Sequence, residues 1–301
     1  MNIRELVIIG GGPAGMAAAL AAQEAGVKNI LLLERDQFLG GILNQCIHPG
    51  FGLHTFKEEL TGPEYGQRFI DKVARNQAIT VSLRSFVVHI SSDKTITYIK
   101  PGELVTVKAK AIICATGCRE RTREMIQVPG TRPAGVFPAG LAQKMMNIEG
   151  WLPGKEVVII GSGDIGLIMA RRLTLEGASV KAVLEIEPKT RGLIRNVVQC
   201  LEDFKIPLYF RHQVTKINGE NRVTGVTVKN LADETTFEIS CDTVLVSVGL
   251  IPEQEIFENI KGVPGLFYCG NANKVYDLVD WVVRDSQTIG KKAAEFVMEK
   301  K

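Results

Sequence analysis

The sequence contains no Cys-x-x-Cys pair. Its six cysteines, Cys46, Cys114, Cys118, Cys200, Cys241 and Cys269, are scattered rather than gathered into a framework, so buried thiols are the default reading. The four histidines, His48, His54, His89 and His212, are equally dispersed. Neither zinc nor an iron–sulfur cluster finds its usual local ligand set, and no metal is expected. There is no lysine or arginine run and the formal net charge is +3, which gives no support to nucleic-acid or membrane-surface binding. No apolar run reaches the ~18 residues of a membrane span. The apolar stretch 14–25 leads to no cleavage-site pattern, so neither a transmembrane segment nor a signal peptide is expected, and a cytoplasmic placement follows.

What is present is ordinary globular material, 45% hydrophobic and 23% charged over 301 residues. That length exceeds a typical single domain, so two are expected.

Two short stretches repeat each other. Gly10-Gly11-Gly12-Pro13-Ala14-Gly15 and Gly161-Ser162-Gly163-Asp164-Ile165-Gly166 are both G-x-G-x-x-G, each following an apolar run and opening a small-residue helix. In each, an acid at a strand end lies 24 residues after the first glycine: Glu34 after Gly10 and Glu185 after Gly161. The first glycine permits a tight turn, the second lets backbone approach a pyrophosphate, and the third lets helix and strand pack closely. The acid accepts hydrogen bonds from the two ribose hydroxyls and repels a 2′-phosphate. One such motif is weak; two with identical spacing imply two dinucleotides.

Read in order, residues 4–9, 13–25 and 29–33 form a strand–helix–strand unit around the first motif. Residues 38–56 carry glycines at 40, 41, 50 and 52 without periodicity and are expected to be a long loop over a cofactor. A helix at 63–76 and a strand at 79–83 follow. Residues 85–90, 95–99 and 104–108 alternate and predict a small antiparallel meander, and 109–115 predicts a separate buried strand ending in Ala115-Thr116-Gly117. The second unit repeats this outline: a short helix at 138–147, strands at 156–160 and 179–184 around a helix at 164–176, a helix at 188–204, and strands at 206–210, 214–217, 223–229, 236–239 and 243–247. The last ~50 residues, with a strand at 266–269 and a helix at 277–298, are too few to stand alone and are expected to pack on the first unit. The fold class is therefore α/β: two Rossmann-like dinucleotide-binding domains with a small antiparallel meander, the second domain (118–249) inserted into the first (1–117 and 250–301).

With these motifs, the Gly40-Gly41 loop and the late Gly265-Leu266-Phe267-Tyr268-Cys269-Gly270-Asn271, the chain resembles the two-dinucleotide-binding flavoproteins of the pyridine nucleotide-disulfide oxidoreductase superfamily along nearly its whole length. The resemblance implies FAD in the N-terminal unit and NAD(P)H in the inserted one. FAD would be held by Gly10, Gly12, Pro13, Ala14, Gly15, Glu34 with Arg35, Gly41, Thr116, Gly117, Gly270 and Asn271. The nicotinamide nucleotide would be held by Gly161, Gly163, Asp164, Ile165, Gly166 and Glu185. A finer similarity, carried by 115–121 and by 130–143, is to FAD subunits of opine oxidases, hydrogen cyanide synthase and dye-linked proline or hydroxyproline dehydrogenases, and to flavoproteins associated with anaerobic glycerol-3-phosphate dehydrogenases. That branch implies a hetero-oligomer with a substrate-oxidising flavoprotein subunit, and an iron–sulfur or cysteine-rich subunit if a cluster is needed. Two positions depart from the pattern. Where glutathione-reductase types carry a dithiol, this chain has Leu43 and His48. Asn271 stands where the family usually has an aspartate for a ribityl hydroxyl; an amide oxygen accepts the same hydrogen bond.

Cys46 and His48 are the reactive-type residues expected near the flavin. Either Cys46 packs and His48 bonds loop backbone, or one of them tunes the flavin or relays a proton to it. Cys114 and Cys118 flank the Ala-Thr-Gly turn as a non-catalytic pair or, less simply, a redox disulfide. Arg119, Arg121 and Arg123 form a solvated face or a docking patch. The expected activity is hydride exchange between NADH and FAD, with NADPH disfavoured by Glu185 although Lys189 and Arg191 lie nearby. Electrons then pass to or from a partner dehydrogenase subunit acting on glycerol-3-phosphate or an amino acid. The alternatives are a stand-alone NADH oxidase, an atypical disulfide reductase using a thiol such as Cys46, and a cofactor-binding interaction subunit with little turnover.

Overall fold

A computed structural model describes residues 3–299 of the chain. It has a mixed α/β fold and divides into two compact units, Met1–Arg119 with Ile251–Lys301, and Glu120–Leu250.

The first unit starts with β1 (Ile3–Ile9), α1 (Pro13–Glu24) and β2 (Ile30–Leu33). Alanines fill α1 and are buried on nearly every side, which suits a helix squeezed between a sheet and another helix. Residues 38–56 are more ordered than the expected loop. They hold a 3-10 turn (Gly41–Gln45) and β3 (Pro49–Phe51), which pairs in a hairpin with β4 (Leu60–Thr61). Glycine punctuation rather than alternation makes this hairpin: Gly52 has φ +85, a conformation open to glycine at little cost. α2 (Gly62–Ala74) then begins on a capping box in which Thr61 and Glu64 bond each other's backbone N–H groups.

β5 (Ile79–Ser82), β6 (Phe86–Ile90) and β7 (Thr95–Lys100) lead to β8 (Glu103–Cys114). The separate strands expected at 104–108 and 109–115 are thus one twelve-residue strand. Its first half pairs antiparallel with β7, and its second half pairs parallel with β1. The change from half-exposed to fully buried residues marks a change of partner, which in sequence looked like a chain break.

The chain leaves the first unit along β9 (Cys118–Glu120), and the second unit contains β10 (Val136–Pro138), α3 (Ala139–Asn147), β11 (Glu156–Ile160), α4 (Asp164–Leu175), β12 (Ser179–Glu185), α5 (Ile194–Val197) and β13 (Leu208–Phe210). After them come β14 (His212–Gly219), β15 (Val223–Asn230), β16 (Thr236–Ser240) and β17 (Thr243–Val246). The parallel sheet runs β10-β17-β11-β12-β13, with a separate antiparallel β14-β15-β16. The helix expected at 188–204 starts late: α5 runs directly into a π turn at Val198–Glu202, while the segment before it is held out of the helix, Gly192 N–H donating to Ser162 O at 3.0 Å and Leu193 N–H to Asp164 Oδ1 at 2.8 Å.

β18 (Leu250–Pro252) leads back, and β19 (Leu266–Tyr268) and α6 (Val279–Glu299) complete the first unit. β19 pairs parallel with β8, whose other neighbours are β1 and β7, in the order β5-β2-β1-β8-β7-β6. α6 lies against α1 so closely that a Cβ on Gly290 would stand 2.4 Å from Ala18 O. Among the described residues no helix is long and apolar enough to cross a membrane.

Candidate functional site

Each unit builds the same turn between its first strand and first helix. In the first, Gly10 has φ +112 and donates its N–H to Leu33 O at 2.8 Å; a Cβ there would lie 2.3 Å from Ala115 O. In the second, Gly161 has φ +97 and donates to Leu184 O at 2.7 Å, and its Cβ would lie 2.1 Å from Ser247 O. Both positions require glycine. The third glycines, Gly15 and Gly166, lie under the turn, where a Cβ would stand 1.8 and 2.8 Å from the carbonyls of Gly10 and Gly161.

The middle glycines face open space. A Cβ on Gly12 would meet only Gly41 Cα, at 3.9 Å, and one on Gly163 only Ser247, at 3.9 Å or more. Gly12 and Gly163 are the N-caps of α1 and α4, and neither helix start is capped by the side chain of its N-cap residue. Two twelve-residue helices thus present backbone N–H groups beside a cradle that a methyl group would fill, which is how a helix end receives a phosphate. The residues present fit dinucleotides.

The two acids are held alike. Glu34 accepts Gly11 N–H at 2.7 Å and Asp36 N–H at 2.8 Å. Glu185 accepts Ser162 N–H at 2.9 Å, Ser162 Oγ–H at 2.6 Å and Glu187 N–H at 3.0 Å. Both side chains are buried. Arg35 is exposed beside Glu34. Asp164, in the first turn of α4, turns its carboxylate aside to Leu193 N–H and to Asn196 Nδ2–H at 2.7 Å. Ile165 is half-buried behind it.

The other expected flavin residues gather in the first unit. Gly41 has φ +55, and a Cβ on it would lie 3.0 Å from Gly12 Cα. Ala14 touches the Gly270 turn, since a Cβ on Gly270 would meet its methyl at 2.8 Å. Thr116 donates its hydroxyl to Glu253 O, and Gly117, at φ +76, has open space around it. Gly270 N–H donates to Asp285 at 2.7 Å. Asn271 Oδ1 accepts Tyr276 N–H at 3.0 Å while its Nδ2–H points at Cys118 Sγ, 3.6 Å away. An amide oxygen has a second lone pair for a further donor.

Cys46 packs against Gly62, and burial pushes its thiol up to about 12. His48 Nδ1 lies 3.0 Å from Pro49 O, and a carbonyl only accepts, so Nδ1 carries the proton. Burial also raises the thiols of Cys114 and Cys269 to about 12. Cys114 Sγ contacts Thr116 Oγ1 at 3.3 Å, and Cys118 is engaged by Asn271; the two cysteines form no disulfide. Arg119 pairs with Glu253 and Glu255 at 3.2 and 2.6 Å, whereas Arg123 is buried, not solvated, and donates to the carbonyls of Val128 and Pro129. Among the described residues no group of three or more His, Cys, Asp or Glu side chains is disposed to hold a metal ion.

Several residues had no sequence signal. Ser162 supplies a hydroxyl to Glu185 that the Gly-rich pattern does not ask for. Glu120 caps α3, accepting Gly140 and Leu141 N–H at 2.7 and 3.1 Å, and burial raises its carboxyl above the ordinary range despite these donors. Asp280 binds Thr55 from 225 residues away.

Comparison with known proteins agrees with this geometry. The pyridine nucleotide-disulphide oxidoreductase family matches residues 4–264. A thioredoxin reductase of Spironucleus barkhanus is 25% identical over 93% of this chain and 92% of its own. The hydrogen cyanide synthase subunit HcnB of Pseudomonas protegens is 26% identical over 84% of this chain and 58% of its own. The crystal structure of Lactococcus lactis thioredoxin reductase superposes with a TM-score of 0.77 at 22% identity, over 98% of this chain and 99% of that one, a likeness of fold. The finer similarity to electron-transferring subunits is therefore not singled out, because the thioredoxin reductase matches more of both chains than HcnB does.

Proposed function

Because the chain belongs to the pyridine nucleotide-disulphide oxidoreductase family and is an FAD- and NAD(P)-dependent oxidoreductase, we propose that it oxidises NADH and delivers the electrons to a disulfide outside the chain. The observation that carries this reading is the pair of matched turns, each with an open helix end and a buried, oriented carboxylate. FAD, when bound at the first turn, supplies a two-electron carrier between nicotinamide and acceptor. The chain's own residues bind and orient: Gly12 and Gly163 leave room for the pyrophosphates, and Glu34 and Glu185 receive ribose hydroxyls.

Glu185 supports NADH over NADPH, since a 2′-phosphate would meet a buried carboxylate. Arg191, one of the two cations near Glu185 in sequence, is paired with Glu187 at 2.9 Å. The exposed pair is weak, so the preference rests on Glu185. The thioredoxin reductase relatives favour a stand-alone disulfide reductase over a partner subunit. Cys46, its thiol at about 12, is a poor nucleophile near neutral pH, so an atypical thiol route needs another cysteine; Cys118 is half-buried, as Cys46 is.

A second reading, electron transfer with a substrate-oxidising flavoprotein subunit for glycerol-3-phosphate or an amino acid and with an iron–sulfur or cysteine-rich subunit, is favoured by the lack of any Cys-x-x-Cys and by the match to HcnB. Anaerobic stopped-flow mixing of the flavin-loaded protein with NADH and with NADPH, followed by a small aromatic disulfide, tests the proposal. Rapid bleaching by NADH and a disulfide turnover lost on alkylation are expected. Bleaching without disulfide turnover would transfer the proposal to the partner reading, and flavin untouched by either nicotinamide would overturn both.

A further inference from the structure

The first unit buries a second polar cluster, at the start of α6, that the function proposed above does not use. Asp280 lies in the first turn of α6 and is 6% exposed. Its Oδ1 accepts the Thr55 backbone N–H at 3.0 Å and also the Thr55 hydroxyl. A threonine hydroxyl has one proton, and here it goes to the carboxylate. The Tyr65 hydroxyl, 3.2 Å from Thr55 Oγ1, brings its own proton to the same cluster. Tyr65 is fully buried, and burial raises its phenol well above the ordinary value, so it keeps that proton.

Thr55 sits at the tip of the β3–β4 hairpin, and the tip is gripped from both sides. Phe56 packs edge-on against Tyr65 and Phe69 of α2, with ring centres 5.2 and 5.9 Å apart. His54 stacks on Trp281 of α6 at 5.2 Å. At the base of the hairpin, Gly62 N–H donates to Cys46 O at 2.8 Å, and Pro49 pairs with Thr61 directly after His48. The segment with the two reactive-type residues is thus carried by the element that Asp280 holds. Asp280 thus ties hairpin to helix through two hydrogen bonds.

We propose that Asp280 is a positioning residue: by binding Thr55 it fixes the β3–β4 hairpin on α6 and so places His48 for the flavin-linked step. The inference rests on the flavin reading above. Asp280 itself touches no reacting atom and acts through Thr55.

Three single variants of the full chain, Thr55→Val, Thr55→Ser and Asp280→Asn, test it in a Trp151→Phe background, where Trp281 is the remaining tryptophan. Trp281 emission, read with and without flavin, reports whether His54 stays seated. In Thr55→Val and Asp280→Asn that emission shifts and kcat for NADH falls about tenfold while KM changes less than twofold. Thr55→Ser retains both donors and restores both readouts. Unchanged Trp281 emission in Thr55→Val and Asp280→Asn overturns the proposal, as do equal losses in Thr55→Val and Thr55→Ser, which would mean that packing alone matters. Should Asp280→Asn fail to fold, the two Thr55 variants decide. A normal Trp281 response in a protein whose flavin NADH cannot reduce would overturn the flavin reading and leave the latch standing.

Discussion

The two Gly-rich turns follow one plan and differ at two points. Under the first turn a methyl on Gly15 would stand 1.8 Å from the Gly10 carbonyl, whereas one on Gly166 would stand 2.8 Å from that of Gly161. At the second position of the motif, a Cβ on Gly11 would strike Leu39 at 2.5 Å and Glu34 at 2.9 Å. The second unit has room for Ser162 there and uses its hydroxyl as a third donor to Glu185. One backbone design has thus been packed tightly with glycine alone in the first unit and more loosely, with an added side-chain bond, in the second.

The largest expected break comes at the third glycine. Gly15→Ala forces α1 away from the turn and costs about 3 kcal/mol, the upper range of overpacking, whereas Gly166→Ala costs about 1 kcal/mol. Absorbance of the purified proteins and thermal melts check this: the first variant is expected to lose its flavin, and the second to keep it and be reduced more slowly by NADH. Equal damage would mean that the 1.8 and 2.8 Å approaches do not govern the packing.

The acids separate the units by selectivity. Glu185→Gln removes the charge facing a 2′-phosphate and is expected to narrow the NADH-to-NADPH preference in kcat/KM by about tenfold, the worth of roughly 1.4 kcal/mol. Glu34→Gln is expected to weaken flavin retention and leave that ratio alone. Steady-state kinetics with both nucleotides measures the two effects, and a ratio that moves with Glu34 but not with Glu185 would reverse the assignment of the turns.

The smallest effect is a pH dependence that only the second unit carries through its α3 cap. The folded pKa of Glu120 is raised, chiefly by burial, so the native state holds the proton longer than the unfolded chain. By linkage its contribution to stability is greatest below the unfolded value and declines as pH rises through the folded one. Melts of the parent and of Glu120→Gln across the weakly acidic range are expected to converge at the low end and diverge upward, with the parent declining relative to the variant. Parallel curves would show that Glu120 does not titrate in this window.

Much of the fold was legible because its causes are local. Pro13 and Gly26 bracket α1, and period-two and fully apolar runs mark most strands. The failures came where a partner, not the run itself, decided the outcome. β8 continues through a change of neighbour that its sequence shows only as a change of polarity. The helix expected at 188–204 starts only at Ile194 because Ser162 and Asp164 accept the N–H groups of Gly192 and Leu193. The β3–β4 hairpin depends on Gly52 and on contacts with α2 and α6.

By itself the sequence determined the two G-x-G-x-x-G turns, the equal spacing to Glu34 and Glu185, and so the α/β class and the kind of ligand, because glycine geometry and strand-to-helix length act within a few dozen residues. Only the tertiary structure decided that Asp280 meets Thr55, that Glu120 caps α3, that Arg123 is buried while Arg119 pairs with acids beyond residue 250, and that the Cys46 thiol is held at about 12. Those outcomes depend on which groups, distant in sequence, share a water-poor space, and burial sets both the strength of a hydrogen bond and the position of a pKa.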